Sequence, residues 1–182
     1  MSHRIEKIAS SDPRYPARLL KRLSRNAPAS LAALGNLDLL TLPKTALFCS
    51  ARCPGNVILS IYDKAAKWRD AGRCLISGFH SPVEQECLRI LLRGTSPIIV
   101  CPARNLPTRI PADWQTPLAE GRLLILSGFT AAQKRVTTEL ATRRNALVAA
   151  LADEACFAHI TPGGRNQRLH DLLVSWGGVI HG

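Results

Sequence analysis

The residues best placed to do chemistry lie after a short apolar run, Ala155–Ile160, where Thr161-Pro162-Gly163-Gly164-Arg165 leads into a new helical pattern. In an open α/β sheet, ligands bind beyond the carboxyl ends of the strands, and this turn falls at such an end. Two glycines let the backbone approach a ligand closely. The unpaired N–H groups and dipole of the following helix favour an anion, above all phosphate. Gly-Gly before a helix is a weak signal alone, because turns use it freely; its place directly after a buried strand strengthens it.

The helix expected from about Ala131 to Ala152 carries a second signal. At about 100° per residue, Val136, Leu140, Leu147, Val148 and Leu151 form one apolar stripe, and Arg144 falls inside it. A charge there needs a partner, or a place near the sheet edge where water or an anion reaches it. Two readings stand side by side: an arginine that snorkels to the surface, and one aimed at the pocket of the Pro162-Gly163-Gly164 turn.

Two further strand ends fit the same pocket. Ser50-Ala51-Arg52-Cys53-Pro54-Gly55 lacks the glycine spacing of the dinucleotide fingerprint, but Arg52 can meet a phosphate if it is more than an exposed loop residue. In Ser77-Gly78-Phe79-His80-Ser81, Gly78 permits close approach and Ser77 offers a hydroxyl. Ser81-Pro82-Val83-Glu84 has the spacing of a capping box with proline at the first helical position, which accounts for Glu84 without catalysis. His80 is a lone loop histidine. No Ser–His–Asp arrangement and no carboxylate pair is legible, so the chain leans away from being an enzyme, and no cofactor is implied.

The elements that must hold these residues alternate from Thr45 onward. Strands are expected at Ala46–Ser50, Arg73–Ile76, Pro97–Cys101, Leu123–Leu126, Ala155–Ile160 and Val179-Ile180, with helices between them. A long loop that holds one helical turn is expected over 102–121. This alternation implies an α/β fold with a doubly wound, mostly parallel sheet, over 41–182. Residues 1–40 read as a short basic N-terminal extension, with helical pieces at Pro16–Leu23 and Pro28–Leu34. No internal repeat or low-complexity tract stands out.

Composition sets the limits. With 46% hydrophobic residues the chain can bury a sizeable core, and with 5% aromatic it is poor in stacking surfaces. A net charge of +11, from 24 basic and 13 acidic residues, favours polyanionic partners. No run approaches the roughly 18 apolar residues of a membrane span, and the N-terminus has no apolar signal segment. The cytoplasm is the expected compartment. Cys49, Cys53, Cys74, Cys87, Cys101 and Cys156 read as small core residues, since a metal site at Cys49, Cys53 and Cys101 lacks the usual spacing.

Together these segments resemble the DNA-processing protein A (DprA/Smf) family, a Rossmann-like group related to the lysine-decarboxylase-like nucleotide hydrolases. Tyr15-Pro16 and Leu34-Gly35-Asn36 are similar to that family's N-terminal region. Ser50-Ala51-Arg52 resembles its G-S-R, Ser77-Gly78-Phe79 its S-G-L, and Arg144-Asn145-Ala146-Leu147-Val148-Ala149-Ala150-Leu151 its R-N-R-I-I-A-G-L. The family's A-R-G-I-D becomes His80-Ser81-Pro82-Val83-Glu84, which removes an arginine, and its following histidine becomes Leu88. Pro162-Gly163-Gly164 looks like the hydrolase branch, but the glutamate of that branch's G-T-x-x-E is missing from Arg165–Leu169. No winged-helix domain is expected in the short C-terminus. The resemblance implies binding of single-stranded DNA in recombination or DNA uptake; the alternative is a small-nucleotide sensor or phosphoribohydrolase-like protein. A homodimer is left open. The expected basic pocket comprises Ser50, Arg52, Ser77, Gly78, Phe79, Arg144, Asn145, Pro162, Gly163, Gly164 and Arg165.

Overall fold

Short apolar strands and amphipathic helices assemble, in the computed structural model, into one eight-stranded sheet with helices on both faces; the structure describes residues 4–50 and 53–181. In chain order the elements are β1 (Glu6–Ala9), α1 (Ala17–Leu23), β2 (Ser30–Gly35), β3 (Lys44–Phe48), α2 (Gly55–Asp70), β4 (Cys74–Ser77), α3 (Pro82–Leu92), β5 (Ile98–Val100), α4 (Ala112–Ala119), β6 (Leu123–Ser127), α5 (Thr138–Leu151), β7 (Glu154–Phe157), α6 (Arg165–Ser175) and β8 (Val179–His181). The strand order is β1-β2-β6-β5-β4-β3-β7-β8. The pairs β1–β2 and β2–β6 are antiparallel, and all others are parallel. This is the doubly wound, Rossmann-like α/β architecture.

The central strands are buried on both sides, and successive residues point to opposite faces. Ala46 and Phe48 of β3, Ile76 of β4 and Leu124 and Leu126 of β6 pack toward α1, α5 and α6. Leu47, Leu75, Leu123 and Ile125 pack toward α2, α3 and α4. The helices therefore form two layers around one sheet, and its carboxyl edge collects the turns after β3, β4, β5, β6 and β7.

The basic N-terminal region departs from expectation. The helix at Pro16–Leu23 appears as α1, but the second piece is the strand β2. Leu31, Ala33 and Leu34 are buried, and Ala32 pairs with Ser127 in β6. Pairing with a distant strand overrides the helical preference of Leu and Ala. The helix expected from Ala131 begins only at Thr138, because the Thr137 side chain accepts a hydrogen bond from the Leu140 N–H and caps it. Val136 thus precedes the helix and is exposed rather than part of its stripe. The loop over 102–121 contains the eight-residue α4.

Two arginines of α1 tie this region to α5. The Arg22 Nη1 donates to the carbonyls of Ala149, Ala150 and Ala152, the last at 2.8 Å. Arg18 Nη1 reaches the Ala152 carbonyl at 3.1 Å and Asp153 Oδ1 at 2.6 Å. The last carbonyls of a helix are unpaired and carry partial negative charge, so cations there stabilise it. Arg22→Ala is expected to lower stability by about 1–2 kcal/mol, as read from urea denaturation.

Candidate functional site

Two strands end in the same device. After β4, the Ser77 hydroxyl donates to the Leu47 carbonyl at 2.8 Å and accepts from the Phe79 N–H at 3.2 Å. After β6, the Ser127 hydroxyl donates to the Arg104 carbonyl at 2.7 Å and accepts from the Phe129 N–H at 3.1 Å. The sequence carries this recurrence openly, as Ser77-Gly78-Phe79 and Ser127-Gly128-Phe129. In both, serine fixes a tight turn and the phenylalanine is buried. Ser77 is therefore engaged in holding the turn rather than offering its hydroxyl outward, and Phe79, with φ 44°, contributes its side chain to the core between the sheet and α3.

Gly78 leaves the space that Arg144 fills. A Cβ on Gly78 would stand 1.6 Å from Arg144 Nη1 and 2.0 Å from its Cζ. Arg144 is only 4% exposed. Its Nη1 donates to the Cys101 carbonyl at 3.2 Å, and its Nε donates to Asn145 Oδ1 at 2.6 Å. Of the two sequence readings, snorkelling fails: the side chain turns inward across the ends of β4 and β5. Burial lowers its pKa from the usual value, opposed by the field of Glu84; an arginine in a protein still stays charged. Asn145 holds this guanidinium in place.

Glu84 organises the neighbouring turn. Its Oε2 accepts from the N–H groups of His80 (2.9 Å) and Ser81 (3.2 Å), while the Ser81 hydroxyl accepts from the Glu84 N–H at 3.2 Å. The expected capping box is complete, with Pro82 in the first turn. Glu84 Oε1 also accepts from the Cys49 N–H at 2.9 Å, a contact that spacing alone does not reveal. The carboxylate thus ties the start of α3 to the end of β3. Ser81→Ala is expected to cost about 0.5–2 kcal/mol and to leave ligand binding intact, as checked by melting and titration in parallel.

The ends of β3 and β7 form a second cluster. The Ser50 hydroxyl donates to the His159 carbonyl at 3.1 Å. Asn166, buried in the first turn of α6, donates through Nδ2 to Ser50 Oγ at 3.2 Å and to the His159 carbonyl at 3.3 Å. Sequence reasoning passed over Asn166, which looks like an ordinary polar helix residue. Pro162, Gly163 and Arg165 are exposed and Gly164 half-buried, with Gly163 at φ 70°. The structure thus brings Gly78, Arg144 and Asn145 together at β4 and β5, and Ser50 beside the start of α6 at β3 and β7. In the sheet β3 lies between β4 and β7, so the two clusters occupy successive strand ends. Arg52 lies outside the described residues.

The chemistry available is that of holding an anion: a buried cation, small residues and exposed backbone. Among the described residues no three metal-ligating side chains cluster. Five cysteines are buried and Cys53 is half-buried. Burial pushes the Cys74 thiol up to about 11 and those of Cys87 and Cys101 up to about 12. They stay protonated near neutral pH and behave as small apolar residues. Among the described residues no helix is long and apolar enough to cross a membrane.

The chain is similar in structure to DNA processing protein A (DprA) from Streptococcus pneumoniae, with 19% identity and a TM-score of 0.78, over 97% of this chain and 62% of that one. It is similar also to DNA processing protein A from Helicobacter pylori, described for its single-stranded DNA binding mode, with 16% identity and a TM-score of 0.74, over 98% of this chain and 80% of that one. The molybdenum cofactor binding protein of Rippkaea orientalis shares the fold more distantly, with 10% identity and a TM-score of 0.53, over 76% of this chain and 74% of that one. The chain thus spans less than two thirds of the length of the Streptococcus protein. No curated protein matches it in sequence. The model of the DNA recombination-mediator protein A family matches residues 6–160, most of the chain, and the protein belongs to that family.

Proposed function

We propose that this protein binds single-stranded DNA through its phosphates at the carboxyl edge of the sheet, and that it does so in the cytoplasm in recombination or DNA uptake. The observation that carries the reading is Arg144, a buried cation whose hydrogen-bond partners are neutral and which sits at a strand-end turn. A guanidinium carries more N–H groups than those two bonds use, and a buried charge gains from an anion brought to it. The family, the net charge of +11 and the binding described for the Helicobacter relative point the same way. Arg144, Asn145, Gly78, Ser50 and the turn from Pro162 to Arg165 form the proposed site; Arg52 is proposed with them from the sequence alone. A homodimer belongs to the same proposal, and sedimentation velocity with and without DNA measures it.

Titration of labelled single strands at two or more salt concentrations tests the reading. Binding is expected to weaken with salt, each phosphate contact adding about 0.7 to the slope. Arg144→Ala is expected to weaken binding of short oligonucleotides more than Arg143→Ala, because Arg143 points elsewhere. No binding at low salt, or binding that salt leaves unchanged, overturns the proposal. That result favours the second reading, a small-nucleotide site at the exposed Gly163-Gly164 turn before α6.

A further inference from the structure

Arg143 and Arg144 are adjacent in sequence, yet α5 sends them to different places. Arg144 is buried against Gly78, whereas Arg143 is exposed and its guanidinium stands 5.6 Å from the centre of the Phe129 ring. Phe129 ends the second Ser-Gly-Phe turn and lines a groove of about 1090 Å³ between the N-terminal strands and α5. Lys7 of β1, Arg22 of α1, Arg25 and Arg143 line it with basic charge, against one acid, Glu139. Trp176 forms another wall, with the Arg22 guanidinium 5.5 Å from its ring.

The dimensions and lining point to one kind of occupant. Small-molecule pockets measure roughly 300–1,000 Å³, so this groove accommodates more than one nucleotide. Single-strand binders pair a basic track for phosphates with aromatic walls for bases. The chain is poor in aromatic residues, yet Trp176 stands here beside four cations, while the buried Phe129 backs the wall beneath Arg143. Arg22 is engaged with the carbonyls of α5, so it adds to the field, while Lys7 and Arg25 are exposed and Arg143 is exposed over the Phe129 ring. The groove reaches the end of β6 at Gly128, on the same edge as the ends of β4 and β5.

We propose that this groove is a second single-stranded DNA subsite, which receives the nucleotides continuing from the sheet edge. Lys7, Arg25 and Arg143 face the phosphates, and Trp176 faces the bases. The inference rests on the reading of the edge as a DNA site.

The test compares thymidine oligonucleotides of about four and about twelve nucleotides, a range that spans one single-strand binding site. The intact chain is used with Lys7→Gln and Arg25→Gln together; both residues are exposed, so the core is undisturbed. The long oligonucleotide is expected to bind the double variant several-fold more weakly, with a salt slope lower by about 1.4 for two lost contacts. The short one is expected to bind as to wild type. In a second arm, Trp68→Phe and Trp114→Phe leave Trp176 as the only one of three tryptophans, and its emission is expected to be quenched by the long oligonucleotide alone. Long strands that bind the double variant like wild type, equal weakening at both lengths, or unchanged Trp176 emission overturn the groove while leaving the edge reading intact. Wild-type protein that binds neither length overturns the edge reading and the groove with it.

Discussion

Glu84→Ala is expected to destabilise the protein by about 3–5 kcal/mol, the range for removing one side of a buried charged network. The side chain is 7% exposed and accepts from three backbone N–H groups, those of Cys49, His80 and Ser81. Alanine removes the acceptor of all three; the Cys49 N–H is buried, and a buried donor left unpaired costs about 1–3 kcal/mol. It also removes an anion whose field favours the charge on Arg144. For a chain of this size the melting temperature should fall by about 6–20 °C. Glu84→Gln keeps an acceptor oxygen and should lose less. A Glu84→Ala protein within about 1 kcal/mol of wild type would show that these three bonds are replaced by water.

Gly78→Ala should act as though Arg144 itself had been removed. The added methyl would stand 1.6 Å from Nη1, so the guanidinium must leave the Cys101 carbonyl. The backbone at Gly78 imposes no left-handed conformation, so the effect arises from the collision alone. Overpacking and a lost buried hydrogen bond together cost about 1–3 kcal/mol. Single-strand affinity is expected to drop to the level of Arg144→Ala. The decisive measurement is the double variant Gly78→Ala with Arg144→Ala: the methyl then has the vacated space, and its stability should recover relative to Gly78→Ala, a coupling read from a double-mutant cycle. Additive losses would mean that the two side chains do not share that space.

Much of this was legible in the residues. Buried parallel strands read as short apolar runs, so β3 to β7 could be placed to within a few residues. The capping box at Ser81 and Glu84 is a local pattern and was legible for that reason. Arg144 was visible as a charge inside an apolar stripe, but its destination was not, because that depends on Gly78 and Cys101 from other strands. β2 was misread because Leu-Ala-Ala-Leu is apolar without a period and favours helix; only its pairing with β6 makes it a strand. The bond from Glu84 to Cys49 joins residues 35 apart, and no spacing rule anticipates it. The Ser-Gly-Phe turn at Ser127 was legible by direct comparison with Ser77, since the two share three consecutive residues.

The attachment of β2 to β6 bears on how the chain is built in time. Ala32 pairs with Ser127, and the β6 strand between β2 and β5 is buried throughout. Synthesis from the N-terminus at about 5–20 residues per second delivers β1, α1 and β2 several seconds before β6 exists to receive them. Until then the antiparallel pair β1–β2 has no sheet to join, and an isolated two-stranded pair is marginal in water. Once β6 forms, it in turn presents a bare, largely apolar edge until β2 docks, and such edges recruit other chains. The seven basic side chains between Arg4 and Arg25 keep the waiting segment charged and well solvated, so the order of synthesis is matched by a leading segment that resists aggregation before its partner arrives.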